Sequence, residues 1–165
     1  MVLQDKYNKL KEGDTLNIFT NYEQFSHQQW MNICGEFADE ASTLKSTHDM
    51  TPGDLAALYE KLQCLQERVM YAVAVADQLL WDTRRLVEII KAKTIEKRGE
   101  NADIRKAQAI QACQGYDFKG KTVNLLDLES KQQKVVRYLE PIAKFINKLE
   151  QKYEKQLGII KMGGY

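Results

Sequence analysis

With two prolines and nine glycines in 165 residues, the chain has few places where it must turn. Long helices are therefore expected and a fold of many short strands is not. No run of about 18 uncharged apolar residues occurs, which argues against a membrane-crossing helix. The opening MVLQDKYNKLKEGD lacks the apolar core of a secretory signal. A soluble protein of the cytoplasm, with no membrane partner, is the expectation. Histidine occurs twice, as His27 and His48, and neither has the Glu-x-x-His spacing by which helical bundles hold metal. No metal site and no cofactor are expected. Phosphate-cradling glycine loops, a Gly-x-Ser-x-Gly elbow and a His-Glu-x-x-His helix are all missing. Cys113 with a distant histidine is the nucleophilic arrangement the residues permit, and the chain as a whole reads as a non-enzyme. Cys34, Cys64 and Cys113 are odd in number and widely spaced, which fits reduced, buried cysteines better than a disulfide scaffold.

Neither sign of charge dominates, with 24 Lys+Arg against 23 Asp+Glu. The neutrality hides a division. Residues 1–83 carry six basic and 13 acidic side chains, net −7, whereas residues 84–165 carry 18 basic and ten acidic, net +8. Such poles seek an oppositely charged partner or one another.

What is present is helical periodicity. Thr51-Pro52-Gly53-Asp54 supplies a threonine cap, a proline at the first helical position and an acid in the first turn. From there Leu55, Leu58, Leu62, Leu65, Val69, Ala72, Ala76, Leu79, Thr83, Leu86, Ile90 and Lys93 recur at alternating steps of three and four. This seam predicts a coiled-coil-like helix over 52–98. A second seam runs Leu125, Leu128, Gln132, Val135, Leu139, Ile142, Ile146, Leu149, Tyr153, Gln156 and Ile160, with Pro141 expected to bend its helix. Gln132 and Gln156 interrupt this seam and are expected at the surface. Asn101–Gln114 reads as a short capped helix stopped by Gly115, and Tyr116–Thr122 as a loop. Nearer the start, Ser26 and Gln29 form a capping box ahead of Trp30, Ile33, Phe37, Ala41 and Leu44, a helix ending near Lys45. Val2–Leu10 is expected as a further short helix and Glu12–Thr20 as extended chain.

The predicted fold is all-α: an acidic N-terminal helical segment (1–50), then a long antiparallel helical hairpin with a short tip helix and a basic tip (51–165). A two-helix hairpin has a thin core. Trp30, Phe37, Tyr71, Trp81 and Phe145 add apolar surface beyond one seam, so a homo-oligomer is expected. The lysines Lys144, Lys148, Lys152 and Lys155 would lie near Asp54, Glu60 and Glu67 in such a hairpin and be balanced there.

The tip has a surplus instead. Residues 91–121 hold Lys91, Lys93, Lys97, Arg98, Arg105, Lys106, Lys119 and Lys121 against Glu96, Glu100, Asp103 and Asp117, net +4. Arg84, Lys91 and Arg98 recur every seven residues as one stripe toward it, and Tyr116 and Phe118 offer rings for stacking on bases. Cations with interleaved aromatics suit single-stranded nucleic acid, bound without sequence preference and with strong salt dependence. A merely solvated tip and a protein partner with an acidic groove fit the same residues.

The run LYEKLQCLQERVMYAVAVADQLL, then EKRGENADIRKAQAIQA and LLDLESKQQKVVRYLEPIAKFINKLEQKY, resembles the layout of the recombination mediators of tailed phages over about residues 55–160. That resemblance implies ring assembly, binding of single-stranded DNA and help in loading a recombinase, which would be the protein partner. It would set Arg98, Arg105, Lys106 and neighbouring lysines against the DNA backbone, in a host cytoplasm. Residues 1–50 have no counterpart in it. Two other function classes fit the sequence. One is a virion, scaffold or adaptor component assembling through its seams. The other is a small regulator whose N-terminal helix enters a groove on a phage or host protein.

Overall fold

The computed structural model describes residues 26–46, 49–95, 101–118 and 120–158. The expected helix at Val2–Leu10, the extended stretch at Glu12–Thr20 and the end of the long helix at Arg98 lie outside these. The fold is all-α, with four helices and one short strand pair among the described residues: α1 His27–Thr43, α2 Pro52–Ile95, α3 Ala102–Gln114, β1 Tyr116–Phe118, β2 Lys121–Val123 and α4 Leu125–Gln156. At about 1.5 Å per residue, the 44 residues of α2 extend roughly 66 Å.

The helix ends follow their local chemistry. Thr51 Oγ1 accepts from the Asp54 amide at 3.2 Å, and the Asp54 carboxylate accepts in return from the Thr51 amide at 3.3 Å. Two amides with no partner inside the helix are thereby satisfied, an arrangement worth about 1 kcal/mol. Asn101 Oδ1 caps α3 through the Ile104 amide, and Asn124 Oδ1 caps α4 through the Asp127 amide. Past the end of α4, Gly158 sits at φ +65°, a conformation open to glycine at little cost. Pro141 is exposed within α4, and the helix continues beyond it to Gln156.

Two compact units divide the chain, and the division falls inside the long helices. One comprises Gln28–Ala74 and the chain from Val135 onward. Here α1 buries Trp30, Cys34, Phe37 and Ala41 along one face. Leu62, Leu65, Val69 and Ala72 of α2, and Val135, Leu139, Ile146 and Tyr153 of α4, are also buried. Each large aliphatic among them contributes about 1.5–3 kcal/mol of transfer free energy. Polar contacts tie these elements together: Tyr153 donates its hydroxyl to the Leu44 carbonyl, Arg68 pairs with Glu40, and Tyr59 donates to Glu154 at 2.9 Å. Lys45 lies 5.5 Å from the Phe145 ring centroid. Lys144, Lys148, Lys152 and Lys155 are all exposed, as is Cys64, which was expected to be buried.

The second unit is built around Val75–Lys134. Val87, Cys113, Val123, Leu125 and Leu128 form its core cluster, which draws on α2, α3, β2 and α4. The expected loop at 116–122 is instead an antiparallel strand pair with Tyr116 opposite Val123, Asp117 opposite Thr122 and Phe118 opposite Lys121. Gly120, at φ +84°, closes the turn, and its amide donates to Asp117 Oδ1 at 3.0 Å. The strands form because Tyr116, Phe118 and Val123 alternate with outward residues and reach the cluster from one face.

Gln132 also departs from expectation. It is only 2% exposed, and Thr83, itself fully buried, lies opposite it with Oγ1 donating to Oε1 at 2.6 Å. Thr83 Oγ1 is equally placed to donate to the Leu79 carbonyl at 3.0 Å, and one hydroxyl proton serves one acceptor at a time. With the amide turned over, Gln132 Nε2 donates to Oγ1 while Thr83 donates to the Leu79 carbonyl, and the two bonds coexist. One polar interruption from each seam thus meets the other inside the chain. Gln156 is exposed, as expected.

Candidate nucleic-acid interface

The residues singled out at the tip fall in the Val75–Lys134 unit, apart from Lys97, Arg98 and Lys119, which lie outside the described residues. Their environments differ sharply. Arg84 reaches from α2 to α4, where its Nε donates to Glu129 Oε1 at 3.1 Å and its Nη2 donates to Gln133 Oε1. Its charge is therefore partly countered. Arg105 on α3 turns inward: its Nη1 donates to the Ile95 carbonyl at 3.4 Å, and its Nε is buried without a hydrogen-bond partner. A cation beside the last described carbonyl of α2 also suits the negative end of that helix. Arg105 therefore acts as a tie between α3 and α2.

Tyr116 and Phe118 are half-buried and pack against the core cluster, together with Leu86, Ile90 and Leu126. The expectation that they stand in a loop is corrected by the strand pair, in which both rings are half-buried. Lys91 is half-buried near Cys113. Cys113 itself is fully buried and aims its thiol at the Val87 carbonyl 3.9 Å away. Burial pushes this thiol up from its ordinary pKa, the Lys91 charge opposes the shift, and Glu129 adds to it. A thiol held neutral in a closed core is the wrong state for a nucleophile.

Besides Arg84, three of the expected cations are exposed among the described residues: Lys93 in the last turn of α2, Lys106 on α3 and Lys121 on β2. They are far apart in sequence, and the folding of α2, α3 and the strand pair around one cluster collects them in one small unit. The structure adds a pair that the tip-centred sequence reading left out. Trp81 is 55% exposed, and the Arg85 guanidinium lies 5.4 Å from its ring centroid. The i, i+4 spacing of these two was the available signal. Asp82, beside them, accepts from Gln78 at 3.0 Å. Its pKa is raised by burial, against the pull of Gln78 and Arg85.

Among the described residues, no group of three His, Cys, Asp or Glu side chains could hold a metal ion, and no helix is long and apolar enough to cross a membrane. No family model, curated protein or solved structure matches the chain.

Proposed function

We propose that this chain is a non-enzymatic, oligomeric helical protein that holds single-stranded nucleic acid against its basic tip, in the manner of a recombination mediator that hands a strand to a recombinase. The supporting observation is the gathering of exposed Lys93, Lys106 and Lys121 in one unit, within a segment where eight basic residues outnumber four acidic ones. Phosphate neutralisation by such side chains needs no unique pocket. Fluorescence anisotropy of a labelled oligothymidine at about 50 and 200 mM salt tests the reading, since phosphate-driven binding weakens steeply across that range. Binding at micromolar level or tighter is expected. The triple variant K93E/K106E/K121E should abolish most of it and lower the salt slope by about 2, at about 0.7 per phosphate contact. Arg105 is left intact because it anchors the α2 end. Undiminished binding by the triple variant removes the tip from the account, and no binding at either salt removes the function.

A second reading, a structural or adaptor protein assembling through its helices, is favoured by a different observation. Met70, Tyr71, Trp81, Ile89, Ile95, Ile104, Ile110 and Tyr138 are large apolar side chains at least 41% exposed. Where such side chains adjoin in one patch they mark a contact surface. Sedimentation in low and high salt, with and without residues 1–50, separates the readings. An assembly that dissolves in salt while showing no affinity for the oligonucleotide supports the structural protein.

A further inference from the structure

We propose that Trp81 is the base-stacking platform of this protein and that the row Trp81, Arg85, Ile89, Lys93 on α2 carries a single strand. The proposal rests on the reading of the tip as a nucleic-acid binder and deepens it by naming the surface that meets the bases. Residues 75–134 contain three aromatic side chains, Trp81, Tyr116 and Phe118. The latter two are half-buried and pack against the core cluster, and Trp81, 55% exposed, is the most open of the three. Every base has a π-face, and stacking on an aromatic side chain is indifferent to sequence.

All four side chains of the row are exposed. Successive members lie one i, i+4 step apart, a rise of about 6 Å with a turn of about 40°. That rise is of the order of the phosphate-to-phosphate step in an extended single strand. Cations stand at alternate places, Arg85 against the Trp81 ring and Lys93 at the end near the tip. A base laid on Trp81 would bring its phosphate toward Arg85, and Ile89 offers apolar surface to the next base. The same row continued one step toward the N-terminus reaches Asp77, also exposed, whose charge repels phosphate and so marks where the track begins. Asp82 does not cross the row, since one carboxylate oxygen accepts from Gln78 and the other is buried. The alternation of ring, cation, apolar side chain and cation matches the alternation of base and phosphate along a strand, and a contact with the acidic half of a second copy is told apart from it by the oligomer mass.

Intrinsic fluorescence reads this directly, because the chain has two tryptophans and Trp30 is only 1% exposed. In the full-length protein, saturating oligothymidine should quench the emission of the parent and leave that of W81F, which retains Trp30 alone, unchanged. By anisotropy, W81A should bind about 5- to 150-fold more weakly, the range set by one stacked base. W81F should recover most of the loss, and the salt slope should stay as in the parent because no phosphate contact is removed. Helicity and sedimentation of W81A should also match the parent. Parent-like affinity in W81A, while K93E/K106E/K121E still abolishes binding, overturns the platform and leaves the tip reading standing. Absence of binding by the parent protein overturns both. If W81A loses affinity only in step with a loss of oligomer mass, the row is a subunit contact and the proposal fails.

Discussion

Replacing Thr83 with valine removes one oxygen from the interior, and the structure says how the loss is shared. Gln132 is 2% exposed, and the described partner of its amide is Thr83. In T83V that amide loses this partner, and a buried polar group left unpaired costs about 1–3 kcal/mol. The reverse change is gentler. In Q132L the Thr83 hydroxyl keeps the Leu79 carbonyl at 3.0 Å, so nothing is orphaned, and a leucine at a seam position adds apolar contact. We therefore expect T83V to lose about 2 kcal/mol and Q132L less than about 1. The double variant T83V/Q132L should return close to the parent, a coupling of about 1–3 kcal/mol. Urea unfolding followed by helical circular dichroism, with an unchanged slope as the check on compactness, measures all three. For a chain of this size T83V should also melt about 4–8 °C lower. Equal losses in the two single variants, or a double variant equal to their sum, would refute the asymmetry.

Two further expectations concern buried ionisable groups. Cys34 and Cys113 are buried while Cys64 is exposed, and burial holds the Cys34 thiol at about 11. A bulky thiol reagent at about pH 8, near the ordinary cysteine range, should therefore add one adduct by mass to the native protein and three after denaturation; two rapid native adducts would place one of these helices differently. Asp82 binds its proton more tightly folded than unfolded, so its charge opposes folding once pH exceeds the ordinary aspartate value of 3.8. D82N should thus raise the neutral-pH melting temperature, and the gain should vanish as the pH falls below 3.8; a destabilised D82N at neutral pH would mean that the Gln78 and Arg85 contacts outweigh burial.

The helices were legible because their signals are local. The Thr51 and Asn101 caps and the heptad spacing of Leu62, Leu65, Val69, Ala72, Ala76 and Leu79 sit in a few consecutive residues, and all six of these seam residues are buried. Val75, Leu80, Val87 and Val136 are buried too, outside the strict seams, because a packed globular face is wider than a coiled-coil stripe. The strand pair was not legible: three residues a side give too little alternation to stand out, and its stability comes from Val87, Cys113 and Leu128, which are distant in sequence. The meeting of Gln132 with Thr83 needed the register between two helices, which neither helix carries alone. At the tip, charge counting found Lys93, Lys106 and Lys121 but could not distinguish them from Arg84 and Arg105, because only the fold supplies Glu129, Gln133 and the Ile95 carbonyl as partners.

The way the two units are drawn from the chain bears on how it must leave the ribosome. Gln28–Ala74 finds its counterpart only in the chain from Val135 onward, so 60 residues separate the two halves of one unit. Until those later residues emerge, Leu62, Leu65 and Val69 have no α4 to cover them, and a nascent chain stalled before Val135 displays an apolar stripe. Closing a flexible loop of that length costs on the order of 3–4 kcal/mol. The intervening stretch, Val75–Lys134, carries its own core cluster. Once it has folded, most of that closing entropy has already been spent, and the outer segments need only continue the two helices that the inner stretch has begun.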